Sequence, residues 1–162
     1  MNTVYLLTGG NVGNREQYLH KTADRIALAC GTITSRSALY ETEAWGKTDQ
    51  PAFLNQALEL ATEMAPLALL NALQFIEHAE GRQRTELYAP RTIDIDILLF
   101  NQLVIDMPSL TIPHPQMARR RFVLQPLQEI AASYIHPVLQ ITISEMLQAC
   151  TDPLAVKKFS LA

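Results

Sequence analysis

The chain has 162 residues, of which 48% are hydrophobic, and this proportion excludes a disordered polypeptide. Its formal net charge of −3 argues against binding of nucleic acid through overall charge. The two cysteines lack CxxC spacing, and neither a signal peptide nor an apolar run of about 18 residues is present. We therefore predict a soluble, cytoplasmic protein without a disulfide framework, in which residues 1–162 form a single domain.

The first half of the chain alternates between strand and helix patterns. Apolar and β-branched runs indicate strands, and apolar residues at helical spacing indicate two helices. Asn11 or Asn14 can cap the first helix, Gly31 ends it, and Pro66 stands where helices commonly begin. Gln74 and Glu77 are three residues apart on the second helix, which places them on one side of it. The predicted strands are residues 3–8, 32–42 and 53–61.

The second half begins with a polar loop over residues 82–89 and continues into a strand within PRTIDIDILLF (residues 90–100). A brief strand at residues 103–105 and a helical region from Phe122 complete the pattern. The order βαββαβ predicts a ferredoxin-like α+β sandwich, with helices packed on an antiparallel sheet and extra C-terminal helices. Because this fold hosts many functions, it does not by itself indicate one.

Two aspartates interrupt the most apolar of these strands. Asp94 and Asp96 alternate with isoleucines, so they share one face and stand roughly 6.6 Å apart along the strand. Like charges on one face repel each other, and hard cations such as Mg²⁺ would remove that repulsion through oxygen ligands. A solvent-exposed strand face with two surface acids is the simpler alternative.

Six of the nine arginines lie in two short stretches that flank this strand and contain no lysine. The arginines are Arg82, Arg84, Arg91, Arg119, Arg120 and Arg121. Arginine binds phosphate through a planar fork, whereas surface pairing with glutamates is the alternative use. A carboxylate pair beside clustered arginines favours chemistry on a metal–polyphosphate complex.

Further candidates carry a weaker signal. His114 lies between two prolines, which restrict its backbone and could aim the imidazole at a phosphate. Phe53 and Phe122 could stack on a flat heterocycle, and Asn55 could bond to its edge. A loop histidine with a satisfied hydrogen bond and aromatic rings in the core would explain the same residues. Neither a GxGxxG nor a GxxxxGK[ST] motif is present.

Four segments together resemble one enzyme family: PRTIDIDILLF, PHPQMARRRFVLQPL, the GRQR turn at residues 81–84, and FLNQALEL. The chain is similar to 6-hydroxymethyl-7,8-dihydropterin pyrophosphokinases of folate biosynthesis, from its TGGNVGN start to about Tyr134. The resemblance implies transfer of pyrophosphate from ATP to the hydroxymethyl group of the pterin, with release of AMP. It also implies two Mg²⁺ ions bound by Asp94 and Asp96, and small molecules as substrates. A monomer is the default expectation, because the sequence shows neither a coiled coil nor an obvious hydrophobic interface strip.

The remaining site residues follow from the same resemblance. Arg82 and Arg91, with the two aspartates, fall on catalytic positions. The nucleotide positions are Gln74, Arg84, Ile97 (through its backbone), Thr111, His114 and Arg120; the pterin positions are Thr42, Trp45, Phe53, Asn55 and Phe122. The chain departs from the family pattern at Trp45, Leu87 and Ser109.

A different class of function provides the alternative. A non-catalytic ferredoxin-like module could bind RNA or a regulatory ligand through the face of its sheet. Readers of RNA with this fold present aromatic and basic residues on the central strands, whereas here Asp94 and Asp96 would repel the phosphates. We therefore rank the enzyme above the binding module.

Overall fold

The computed structural model of the chain describes residues 1–43, 51–80 and 93–160. Its elements follow the order expected from the sequence, except that residues 32–42 form two strands and further strands follow β5. The strands are β1 (Asn2–Gly10), β2 (Thr32–Arg36), β3 (Tyr40–Thr42), β4 (Phe53–Thr62), β5 (Asp94–Phe100), β6 (Ile105–Met107), β7 (Leu110–Ile112) and β8 (Val156–Lys158). The α-helices are α1 (Arg15–Ala29), α2 (Pro66–Ala79), α3 (Arg121–Ala131) and α4 (Ile143–Ala149), and a 3₁₀ helix spans Met117–Arg119.

The main sheet has the strand order β5-β1-β4-β3-β8, and β2 also pairs with β4. Every one of these pairs is antiparallel. Helix α1 connects β1 to β2 across β4, and α2 connects β4 to β5 across β1. This split βαβ arrangement confirms the predicted ferredoxin-like α+β class.

Two hydrophobic cores cover the two faces of the sheet. The first contains the inward side chains of α1 and α2, packed on residues such as Leu6 and Leu58. The second contains the apolar faces of α3 and α4, packed on residues such as Leu7 and Ala57. Because side chains alternate along a strand, neighbouring residues of β1 and β4 serve opposite cores. The face that carries α3 is the one on which the aspartates of β5 lie.

Local capping explains where the helices begin. The side chain of Asn14 accepts a hydrogen bond from the Gln17 N–H and so caps α1. Pro66 occupies the first turn of α2, where its missing N–H costs nothing. Thr142 and Glu145 form a reciprocal capping box at the start of α4.

Three predicted details are wrong. Residues 32–42 form two strands, not one, because Ser37 bonds to β4 from an irregular segment: its N–H and hydroxyl both contact the backbone of Ala57. The brief strand expected at residues 103–105 begins at Ile105 and forms a hairpin with β7. The C-terminal region also contains β8, which extends the sheet beside β3. Among the described residues, no helix combines the length and apolar character needed to cross a membrane.

Candidate active site

The candidate site lies where β1 and β3 end and where β4 and β5 begin. The strand register aligns Asn55, Gly9 and Asp94 in one row across β4, β1 and β5. Two residues further along, Ala57, Leu7 and Asp96 form the next row. Residues opposite each other in a ladder share a face, so both carboxylates lie on the α3 face of the sheet.

Asp94 and Asp96 are half-buried, and each has an interaction partner. Between them, the backbone N–H of Ile95 donates to Oε2 of Glu77 at 2.8 Å. Glu77 is buried on α2, whereas Gln74, three residues earlier on the same helix, is exposed. A buried carboxylate therefore fixes the backbone from which both aspartates project.

The donor set suits a hard divalent cation. Two carboxylates on one face match the one or two protein ligands that Mg²⁺ commonly takes, the remaining positions belonging to water and substrate phosphates. Within residues 1–43, 51–80 and 93–160 there is no group of three or more His, Cys, Asp or Glu side chains that could hold a metal alone. An ion bound at Asp94 and Asp96 would therefore share its coordination with a ligand.

His114 lies next to this carboxylate pair. Its backbone N–H donates to the carbonyl of Leu98 on β5 at 2.9 Å, and its Nδ1 accepts from the Gln116 N–H at 3.2 Å. Burial, and to a lesser extent the positive charge of Arg120, lower the pKa of His114 to about 4, although the negative charge of Asp94 opposes the shift. The imidazole is therefore neutral at pH 7, with Nε2 as its donor.

Adjacent arginines at the start of α3 have different environments. The guanidinium of Arg120 lies 5.7 Å from the ring centroid of Phe122, and its charge reaches His114. Arg121 is fixed by the C-terminal region: its Nη2 donates to the carbonyl of Cys150 at 2.9 Å, and its Nε donates to the carbonyl of Asp152 at 3.3 Å. Arg120 thus faces the candidate site, while Arg121 holds α3 to the chain after α4.

At the end of the row opposite Asp94, Asn55 of β4 and Thr42 of the adjacent strand β3 are buried polar residues. The register places Thr42 opposite Phe53, and Tyr40 opposite Asn55. Neither Oγ1 of Thr42 nor Nδ2 of Asn55 has a hydrogen-bond partner in the part of the chain that the structure describes. Because unpaired buried polar atoms are costly, these two atoms indicate a polar ligand that bonds to them.

Gly9 makes this arrangement possible. A Cβ on Gly9 would lie 2.1 Å from Oδ1 of Asn55, so the amide of Asn55 lies directly over the backbone of β1. The row therefore has an amide at one end and the carboxylate of Asp94 at the other. The sequence analysis did not identify the close approach of Gly9 to Asn55 or the hydrogen bond between Glu77 and the Ile95 N–H. Both contacts join residues that are distant in the chain.

The other predicted residues are dispersed or fall outside the described ranges. Thr111 is half-buried in β7, and the side chain of Ile97 belongs to the first core, which leaves only its backbone for a ligand. Arg82, Arg84, Arg91 and Trp45 lie outside the described residues.

Comparison with known proteins decides the family. Residues 5–132 match the family described as 7,8-dihydro-6-hydroxymethylpterin-pyrophosphokinase (HPPK). The chain belongs to the HPPK family. The Bacillus subtilis 2-amino-4-hydroxy-6-hydroxymethyldihydropteridine pyrophosphokinase is 45% identical over 130 residues, which cover 80% of this chain and 78% of that protein. The Haemophilus influenzae enzyme of the same name is 37% identical over 97% of this chain and 98% of that protein.

Longer HPPK relatives contain only a part that matches. The folic acid synthesis protein FOL1 of Dictyostelium discoideum is 41% identical over 90% of this chain, which spans 22% of that protein. The crystal structure of Plasmodium falciparum HPPK-DHPS with pteroate matches 91% of this chain and 42% of its own, with a TM-score of 0.73 and 20% identity. That structural likeness supports the fold.

Proposed function

We propose that this site transfers pyrophosphate from ATP to 6-hydroxymethyl-7,8-dihydropterin on two Mg²⁺ ions held by Asp94 and Asp96. The reaction itself follows from membership of the HPPK family: it yields the pterin diphosphate and AMP, and it belongs to folate biosynthesis. What the proposal adds is the assignment of residues and metal.

The unpaired polar atoms of Thr42 and Asn55 carry the assignment of the pterin side. A pterin ring presents donors and acceptors along one edge, and it would satisfy the Thr42 hydroxyl and the Asn55 amide. Phe53, beside Thr42 in the register, and Phe122, at the start of α3, would supply the stacking surfaces. Trp45 is proposed as a further pterin contact.

The nucleotide side is proposed around His114 and Arg120. Nδ1 of His114 is already an acceptor, so its Nε2–H can donate to a phosphate oxygen. Arg120 would add a planar charged donor beside it. Gln74, Arg84, Thr111 and the backbone of Ile97 complete the proposed contacts, and Arg82 and Arg91 are proposed to neutralise the polyphosphate.

The chemical step is a displacement at the β-phosphorus of ATP. The pterin hydroxyl oxygen forms a bond to this phosphorus, the bond to the α-phosphate oxygen breaks, and AMP leaves while the hydroxyl proton is released. When bound at Asp94 and Asp96, Mg²⁺ supplies charge neutralisation on the attacking and leaving oxygens. The residues of the chain hold the two substrates in line and exclude water.

Further parts of the proposal concern the whole protein. We infer that residues 1–162 act as one domain, as a monomer in the cytoplasm, on small molecules and without nucleic acid. The half-buried carboxylates of Asp94 and Asp96 would repel the phosphate backbone of a nucleic acid when no metal ion is bound. This argument places the RNA-binding alternative second.

Product analysis tests the assignment. The protein is mixed with ATP, Mg²⁺ and the pterin, and nucleotides are separated. We expect AMP only when pterin and metal are both present, and loss of about 10²–10³-fold or more in kcat for Asp94→Asn and Asp96→Asn. Asp24→Asn, at an exposed position of α1, is the matched control. Formation of ADP, or full activity of both aspartate variants, would contradict the proposal.

A further inference from the structure

Arg15, in the first turn of α1, contacts β3 and the residue that precedes β4, the two strands that carry the proposed pterin residues. Its Nη1 lies 2.6 Å from Oε2 of Glu41 on β3 and donates to the carbonyl of Ala52 at 2.9 Å. Glu41 directly precedes Thr42, and Ala52 directly precedes Phe53. Nη1 of Arg15 therefore links the residue before Phe53, the proposed stacking ring, to the residue before Thr42, whose hydroxyl is buried.

Two neighbouring contacts strengthen this junction. Nδ2 of Asn11 donates to the carbonyl of Pro51 at 3.1 Å. The carbonyls of Pro51 and Ala52, which precede β4, therefore both accept hydrogen bonds from side chains between the end of β1 and the first turn of α1. On its other side, the guanidinium of Arg15 lies 5.6 Å from the ring centroid of Phe159. The N–H of Phe159 in turn bonds to the carbonyl of Leu39, just before β3.

The position of these strand ends determines the shape of the pterin pocket. Thr42 and Phe53 are register partners, so any change in the separation of β3 and β4 moves them together or apart. The side chain of Arg15 is 23% exposed and that of Glu41 is 39% exposed, so the ion pair is partly shielded from water. The polar contacts of Arg15 are to the residues that precede Thr42 and Phe53 in the chain.

We propose that Arg15 is a positioning residue for the pterin, which holds the ends of β3 and β4 so that Thr42 and Phe53 are correctly spaced. The C-terminal tail contributes through Phe159, which covers the outer side of the guanidinium. This inference rests on the proposed pterin site. It assigns to Arg15 an effect on pterin binding that is separate from the nucleotide and metal side.

Steady-state kinetics on four variants test the proposal, with AMP formation as the readout. In Arg15→Met, which keeps the length of the side chain and removes its charge and donors, we expect KM for the pterin to rise about tenfold. KM for ATP should stay within about twofold of wild type. Arg15→Lys retains a point charge for Glu41 but loses the fork, so its pterin KM should be intermediate.

Glu41→Gln removes the ion pair and keeps the bond to Ala52, so a pterin KM between those of wild type and Arg15→Met is expected. Arg36→Met, at an exposed position at the end of β2, is the control and should match wild type. Thermal denaturation establishes that each variant is folded. Should Arg15→Met destabilise the chain, Arg15→Lys and Glu41→Gln provide the same comparison.

Two results would overturn the inference: an unchanged pterin KM in folded Arg15 variants, or equal increases in KM for pterin and ATP. The second would indicate general disruption. If wild-type protein itself forms no AMP, the proposed function fails; if wild type is active and Arg15 variants are normal, only the inference fails.

Discussion

The amide of Asn55 on β4 lies across the backbone of Gly9 on β1, in the row that ends at Asp94 on β5. The contact is so close that a Cβ on Gly9 would stand 2.1 Å from Oδ1 of Asn55 and 3.3 Å from the carbonyl of Leu54. The absence of a side chain at Gly9 thus lets an amide and a carboxylate share one surface.

Gly9→Ala should displace the Asn55 side chain and weaken pterin binding. We expect KM for the pterin to rise about tenfold or more, since a buried hydrogen bond is lost. The nucleotide contacts lie on other elements, so KM for ATP should change less. Steady-state kinetics with each substrate varied in turn provides the measurement.

Gly31→Ala is the matched comparison for Gly9→Ala. A Cβ at Gly31 would lie 2.2 Å from the carbonyl oxygen of Ala61, far from the row of Asn55 and Asp94. This variant should lose stability while the folded fraction retains the wild-type KM for the pterin. Equal kinetic effects from both glycine variants would contradict the specific role of Gly9.

Glu77 should affect both stability and metal binding, because its carboxylate accepts the Ile95 N–H between the two aspartates. Glu77→Ala leaves that buried N–H unpaired, and the free energy of unfolding should fall by about 1–3 kcal/mol. The Mg²⁺ concentration that gives half-maximal activity should also rise. Urea denaturation and a Mg²⁺ titration of AMP formation measure the two effects.

Glu77→Gln is expected to recover most of the stability, since its amide oxygen can still accept from Ile95. Glu63→Ala removes an exposed carboxylate and serves as a control for the change in net charge. A Glu77→Ala protein with wild-type stability and wild-type Mg²⁺ dependence would show that the contact is dispensable.

Substitution by alanine should affect different properties at the adjacent residues Arg120 and Arg121: KM for ATP at Arg120 and stability at Arg121. Arg120→Ala should raise KM for ATP about tenfold with little change in stability, because the guanidinium faces His114. Arg121→Ala loses the bonds to the carbonyls of Cys150 and Asp152, so unfolding free energy should fall by roughly 1–3 kcal/mol. Kinetics and urea denaturation on both proteins distinguish the roles, and a reversed pattern would contradict the assignment.

His136 should make stability depend on pH. Its buried Nδ1 accepts the N–H groups of Val138 and Leu139, each at 3.1 Å, and burial lowers the pKa of this imidazole in the folded protein. The unfolded chain therefore binds a proton more readily, starting near pH 6.5. The contribution of His136 to stability is complete above that pH and is lost as pH falls below it, by at most about 1.4 kcal/mol per pH unit.

Urea denaturation between pH 4 and pH 8 measures this dependence, and two substitutions isolate it. Asn at position 136 retains an oxygen that can accept both N–H groups, as asparagine does in turns, but it does not titrate. His136→Asn should therefore lose less stability than wild type as pH falls. His136→Ala removes the acceptor and should be less stable at every pH. Parallel pH profiles for wild type and His136→Asn would contradict the prediction.

The sequence predicted the ferredoxin-like class because its main signals are local. Alternating apolar residues, helical spacing, an asparagine cap at position 11 or 14 and Pro66 at a helix start indicate elements without reference to the rest of the chain. The strands that were missed or merged are short: β3, β7 and β8 have three residues each. Three residues give too little periodicity to separate a strand from a turn, and such strands depend on their neighbours.

Site prediction had a similar limit. The carboxylates of β5 and the clustered arginines stand out by residue type, so Asp94 and Asp96 could be selected from sequence, whereas Arg120 was separated from Arg119 and Arg121 only by the resemblance to the family motif. Contacts between distant elements could not be selected in this way. Gly9 acquires its role from Asn55, which is 46 positions away in the chain (55 − 9), and the bond from Ile95 to Glu77 depends on how α2 packs on β5.

Strand β5 stands at the edge of the main sheet, where unpaired backbone groups can recruit a strand from another molecule. Here, the carboxylate of Glu77 accepts a hydrogen bond from the Ile95 N–H, and the backbone N–H of His114 donates a hydrogen bond to the carbonyl of Leu98. The same two residues that support the candidate site thus block β5 as a template for intermolecular pairing. Loss of Glu77 would expose the Ile95 N–H at this edge, so one side chain contributes both to resistance against intermolecular pairing and to the backbone that carries the two aspartates.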